Sequence, residues 1–98
     1  MPRPTCPRKI SHSPPATYFK PAGIPVRDLE EILLAADELE ALRLADCEEL
    51  YHVEAAAHMG VSRQTFDRII RKARKKVALS LVNGHALRIE HPPGGAGG

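Results

Sequence analysis

With 98 residues, 43% of them apolar and 27% charged, the chain fits one soluble globular domain with a modest core. Two Tyr, two Phe and no Trp argue against an aromatic stacking platform for single-stranded nucleic acid, and no apolar run approaches the ~20 residues of a membrane span. The net charge is only +2, yet it is sorted along the chain: Arg3, Arg8, Lys9 and Lys20 stand in the first 26 residues with no acid, Arg27 to Glu54 sets two cations against ten acids, and Ser62 to Lys76 sets seven cations against Asp67 alone.

Residues 1–25 hold seven of the nine prolines. Proline fixes φ and removes a donor, so neither a helix nor a central strand is expected there. The stretch reads as an extended basic arm, docked through Tyr18 and Phe19. It has no apolar core behind its basic residues, so it does not read as a secretory signal. The two cysteines, Cys6 and Cys47, form no C-x-x-C pair. A reducing, cytoplasmic setting is expected.

The folded domain is expected over residues 26–90. "VRDLEEILL", Val26 to Leu34, predicts a short helix. "DELEALRLAD" predicts a clearer one from Asp37, with acids in the first turn facing the positive end of the helix dipole and Leu39, Leu42 and Ala45 on one face. "CEELYH" reads as a turn. "VEAAAHM" is a short alanine-rich helix ended by Gly60. Ser62 is placed to cap a third helix running to about Leu81, whose Phe66, Ile69, Ile70, Ala73, Val77 and Leu81 form one apolar stripe. Gly84 stops it. "HALRIE" reads as a terminal strand or strap with no evident partner, and residues 91–98 as a flexible Gly/Pro tail.

The informative pattern is two helices joined through Gly60–Val61–Ser62, with Ala56 four residues before the glycine and Phe66 and Ile69 at core spacing after it. This is the pattern of a helix-turn-helix. Ala56 is small where the helices cross, Gly60 takes the sharp turn, and Val61 fills the gap between helices. With the stripe buried, the opposite face of the third helix points outward. Ser62, Arg63, Gln64, Asp67 and Arg68 are the residue types that read base edges in a major groove: arginine bonds guanine, glutamine bonds adenine, and aspartate accepts from cytosine. Arg71, Lys72, Arg74, Lys75 and Lys76 suit phosphates. Arg3, Arg8 and Lys9 of the arm suit the backbone or the minor groove. The expected architecture is an all-α, small helix-turn-helix bundle with an extended basic N-terminal arm.

These residues also resemble an uncharacterised prokaryotic family, domain of unknown function 134 or uncharacterised protein family 0251. The matching pieces are "MPRP", "YFKPAGIP", "DELEALRLAD", "EAAAHMGVSRQTFDRII" and "ARKKVALSLVNGHALRIE", in order over nearly the whole chain. The resemblance implies a DNA-binding protein whose helix-turn-helix is similar to the sigma-factor domain that reads the −35 promoter element. On that comparison Ser62, Arg63, Gln64, Asp67, Arg68 and Arg71 match groove-facing positions. Some relatives carry a further C-terminal domain like those that bind an iron–molybdenum cofactor; PPGGAGG stands in its place here.

No catalytic constellation is visible, and an enzyme is not expected. The five histidines show no metal spacing, with His52 and His58 six apart, and neither a metal nor a cofactor is expected. Adjacent acids such as Glu30–Glu31 diverge on a helix and cannot face one substrate. The expected function is sequence-specific binding of double-stranded DNA by a transcriptional regulator associated with the nucleoid. The alternative is a protein-interaction adaptor that uses the acidic 27–54 surface for a basic partner, such as RNA polymerase or another regulator. Leu79 and Val82 lie off the stripe, and a homodimer through them is a further open reading.

Overall fold

The computed structural model describes residues 14–90. In chain order these form strand β1 (Tyr18–Phe19), a 3-10 turn at Val26–Asp28, strand β2 (Glu31–Leu34), helix α1 (Ala36–Leu42), a π-helical turn at Arg43–Cys47, helix α2 (His52–Met59), helix α3 (Arg63–Asn83) and strand β3 (Ala86–Ile89).

The domain is therefore mixed, and the expected all-α class is corrected. Three strands form one sheet in the order β1-β3-β2. β3 runs parallel to β2, with Glu31 opposite Ala86 and Leu34 opposite Ile89, and antiparallel to β1, with Tyr18 opposite Arg88. The segment expected to be a helix over 26–34 instead closes a 3-10 turn and then extends. Its strand shows the period-two alternation of a half-buried strand, with Ile32 and Leu34 turned inward and Glu31 and Leu33 outward. What decides the matter is a partner 55 residues away in the chain, which satisfies the extended backbone and leaves no trace in the local pattern. The terminal strand that seemed to lack a partner has two. The order also draws Tyr18 and Phe19 of the arm into the fold, where the Ile89 N–H donates to Thr17 O at 2.9 Å.

One polar triad ties the three strands. Arg88 of β3 donates through Nε and Nη2 to the Glu31 carboxylate of β2, both at 3.0 Å, while Tyr18 of β1 donates its hydroxyl to Glu31 Oε2 at 2.6 Å. The Arg88 guanidinium lies 4.8 Å above the Tyr18 ring centroid. Hydrogen bonds first from Arg88 and then from Tyr18 hold the Glu31 carboxyl below its ordinary pKa. The same bond to Glu31 is the main cause that raises the Tyr18 phenol.

The core has two parts. Ala41, Leu44, Ala55, Ala56, Met59, Phe66, Ile69 and Ile70 pack between α1, the π-helical turn, α2 and the first half of α3. Leu34, Ala73 and Ile89 join the sheet to α3, with Leu39, Leu42 and Leu87 packed alongside. Leu42 touches both clusters. The stripe expected on α3 holds through Ala73 and the half-buried Val77, but Leu81 is 78% exposed and Ser80 takes its place at 5%. On a 100° wheel Leu81 lies farther round than Ile70, at the stripe's far edge, whereas Ser80 lies inside the buried arc.

Glu38 and Glu40 of α1 are also buried, at 5% and 3%. Glu38 accepts from the Ala35 N–H and from Lys76 Nζ, at 2.9 and 2.7 Å, and Lys76 also donates to Leu33 O at 2.8 Å. Glu40 accepts from Arg43. Both burials are thus satisfied by charge-assisted bonds. No helix among the described residues is long and apolar enough to cross a membrane.

Candidate nucleic-acid interface

The unit of interest is α2, the Gly60–Val61–Ser62 link and α3. Gly60 ends α2 in the left-handed region (φ 72°, ψ 32°), its N–H donating to Ala57 O at 3.1 Å, while Val61 N–H donates to Ala56 O at 3.0 Å. Those two bonds make a Schellman end, which reverses the chain within one residue. Val61 packs against the core beside the buried Ala56 and Phe66. Ser62 opens α3 with extended backbone, and its Oγ accepts the Thr65 N–H at 3.1 Å and donates to Thr65 Oγ1 at 3.0 Å.

With Phe66, Ile69, Ile70 and Ala73 buried, the far side of α3 is fixed outward. Gln64, Arg68, Arg71 and Lys75 project there within about 60° of one another, taking 100° per residue, and all four are exposed. Ser62, Arg63 and Lys72 are exposed as well. Arg68, Arg71, Lys72 and Lys75 converge on a shallow cleft beside the start of α1, which Asp37 and Thr65 also line.

The seven cations of α3 divide into two sets. Arg74 is held by Asp46, with Nη2 at 2.7 Å and Nε at 3.2 Å, a bond that raises its already high pKa. Lys76 is held by Glu38 and Leu33 O. Arg63, Arg68, Arg71, Lys72 and Lys75 form no hydrogen bond or ion pair with any other described residue. Acids of the 27–54 stretch are engaged correspondingly: Glu31 with Arg88, Glu38 with Lys76, Glu40 and Glu48 with Arg43, and Asp46 with Arg74. Five of the ten acids of that block are thus paired with cations of the same chain among the described residues, though only Glu38 and Glu40 are buried. Of the α3 cations with no hydrogen bond or ion pair among the described residues, Arg68, Arg71, Lys72 and Lys75 line one cleft.

A protein-family profile described as "Protein of unknown function DUF134" matches residues 1–95. The chain belongs to that family. Among its relatives, UPF0251 proteins of Desulfosudis oleivorans and Moorella thermoacetica are 58% and 57% identical over 90 residues, covering 92% of this chain in both cases and 65% and 60% of their own lengths. A UPF0251 protein of Vibrio vulnificus is 60% identical over 89 residues, covering 91% of this chain and 89% of its own length. The chain thus spans less than two thirds of the first two relatives. No solved structure matches it.

In this DUF134 member Asp67, assigned by sequence to base reading, is half-buried at the flank of α3, and its Oδ1 lies 2.7 Å from His52 Nδ1 at the start of α2. A carboxylate only accepts, so the hydrogen sits on Nδ1. The His52 ring also meets Phe66 edge-on, centroids 5.1 Å apart and planes at 66°. Sequence reading weighed His52 only as a metal ligand. Its real neighbours are 14 and 15 residues away and become visible only once the two helices cross. Arg3, Arg8 and Lys9 lie outside the described residues.

Proposed function

We propose that this protein binds double-stranded DNA sequence-specifically through α2, the glycine turn and α3, and acts as a transcriptional regulator associated with the nucleoid. The observation that carries the reading is the division of charge on α3. The fold supplies acids to Arg74 and Lys76 and leaves Arg63, Arg68, Arg71, Lys72 and Lys75 exposed, with no hydrogen-bond or ion-pair partner among the described residues. A helix about 10–12 Å across fits a major groove of about 12 Å, and these guanidinium and ammonium groups, spread along about 18 Å of it, would meet the flanking phosphates. Gln64 and Arg68, nearest the capped end, are the base readers; Arg71, Lys72 and Lys75 hold phosphates. The adaptor alternative has less support, because half of the ten acids of its surface are paired with cations of the same chain among the described residues.

A salt series tests the reading. Neutralising the three phosphates given to Arg71, Lys72 and Lys75 gives a slope of log K against log salt of about −2.7, at roughly −0.9 per phosphate. Binding that ignores salt, or no binding to any duplex selected from a random pool, would reject it.

A further inference from the structure

We infer that Asp67 is a positioning residue, not a base reader: with His52 it forms a brace that sets the angle between α2 and α3, and base choice falls to Gln64 and Arg68. The inference rests on the DNA-binding reading above and concerns which residues of that site carry its specificity.

The geometry is that of a closed triangle. The Gly60 turn joins the end of α2 to the beginning of α3 and by itself is a single attachment. His52 opens α2, about 12 Å before the turn at 1.5 Å per residue, and Asp67 lies about 8 Å after Ser62 on the same rise. The 2.7 Å contact between them closes the third side. The His52 ring cannot swing away easily, because its edge is seated on the fully buried Phe66 of the same helix turn.

Asp67 also stands on a different face from the readers. It lies roughly 60° or more from the direction shared by Gln64, Arg68 and Lys75, at 100° per residue. Arg74, about two turns on, shares that flank and is likewise bound to a residue from another element, Asp46. This flank is thus one of two on which α3 is fastened to its neighbours; on the other, Lys76 donates to Glu38 and Leu33 O. Arg71 and Arg74 border the same cleft as His52 and Asp67. The Asp67 carboxylate thus has two guanidinium groups lining the same cleft.

The test uses the full chain and duplexes selected from a random pool, with Asp67→Asn, Asp67→Ala, His52→Gln, His52→Ala and the double alanine variant. A brace predicts that all variants select the same bases as the unaltered protein. Asp67→Ala and His52→Ala each weaken binding roughly tenfold, the scale of a lost charge-assisted hydrogen bond, and the double variant is no weaker than either alone. Asp67→Asn and His52→Gln keep an acceptor and a donor and recover most of the affinity. If Asp67→Asn changes the selected base at one position while His52→Ala does not, Asp67 reads that base and the assignment is overturned. Additive losses in the double variant overturn it too. If the unaltered chain retains no duplex at all, the functional reading fails and takes this assignment with it, a result distinct from altered base choice with binding intact.

Discussion

Arg74 and Asp46 face each other through two hydrogen bonds, 2.7 Å from Nη2 and 3.2 Å from Nε, between α3 and the π-helical turn that follows α1. The pair takes one cation out of the basic stretch and fastens it to the acidic one. Replacing Arg74 with alanine should therefore leave the salt slope of DNA binding almost unchanged. It should lower stability by roughly 0.2–1 kcal/mol, as for other half-exposed pairs. Lys75→Ala should do the reverse, reducing the slope by about one without altering the melting temperature measurably. Anisotropy titrations across a salt range, beside thermal melts, separate the two behaviours.

Arg68 and Lys75 share the outward face but stand two turns apart. Arg68→Ala should cost about 1–3 kcal/mol at the preferred sequence and relax the choice at one base pair. Lys75→Ala should weaken preferred and random duplexes alike. Competition between the two duplex types reads the difference directly. Equal loss from both substitutions on both duplexes would remove the division into readers and phosphate contacts.

The apolar stripe ends at Val77, one turn earlier than periodicity suggests, and this has a measurable consequence. Phe66 is fully buried while Leu81 is 78% exposed. Phe66→Ala should cost about 3–5 kcal/mol, enough to leave a small domain close to unfolding. Leu81→Ala should fall within roughly 0.5 kcal/mol of the unaltered protein, as for other surface substitutions. Denaturant titrations of both variants check this.

Gly60 sits at φ 72°. An alanine there meets its own carbonyl in the left-handed region, and Gly60→Ala should destabilise the fold by about 1–2 kcal/mol. DNA affinity should fall further than stability does, because relief of the strain turns α3 relative to α2. Comparing denaturation midpoints with binding at a temperature where the variant remains folded distinguishes the two losses.

The Tyr18–Glu31–Arg88 triad sets a pH window. Glu31 has a folded pKa depressed below its ordinary 4.5, so its contribution is complete above that value and is lost as pH falls through the folded one. The unaltered protein should lose stability more steeply below about pH 4.5 than Glu31→Gln does. Tyr18 works in the opposite sense. Its folded pKa is raised above 10.0, so its contribution is present below that pH and is lost on further alkalinisation. Circular dichroism melts across pH 3–6 and pH 9–11 test both limbs.

What sequence reading could reach was whatever is local. Gly60 and Ser62 announce themselves by chemistry, because few other residues take a left-handed turn or cap a helix, and Phe66 through Ala73 repeat within three turns. The sheet was out of reach for a different reason. Glu31–Leu34 has apolar residues at a spacing compatible with helix or strand, and only Ala86–Ile89, across the whole helical region, decides between them. The same holds for charge. Lys76 and Arg74 look like their neighbours in the sequence, and only the approach of Glu38 and Asp46 separates them from the unpaired set. Asp67 and His52 likewise look unrelated in the sequence, and only the crossing of α2 and α3 brings them within 2.7 Å.

The central strand of the sheet is the last element of the described chain, and its two neighbours are the first strands made. During synthesis, β1 and β2 leave the ribosome with open edges and wait until α1, α2, α3 and β3 have followed. The cluster around Phe66 is complete once α3 has emerged, so the helices can consolidate first and the sheet zips up around the late-arriving strand. Chains truncated before Ala86 and released from the ribosome should therefore carry a protected helical region and a protease-sensitive N-terminal stretch.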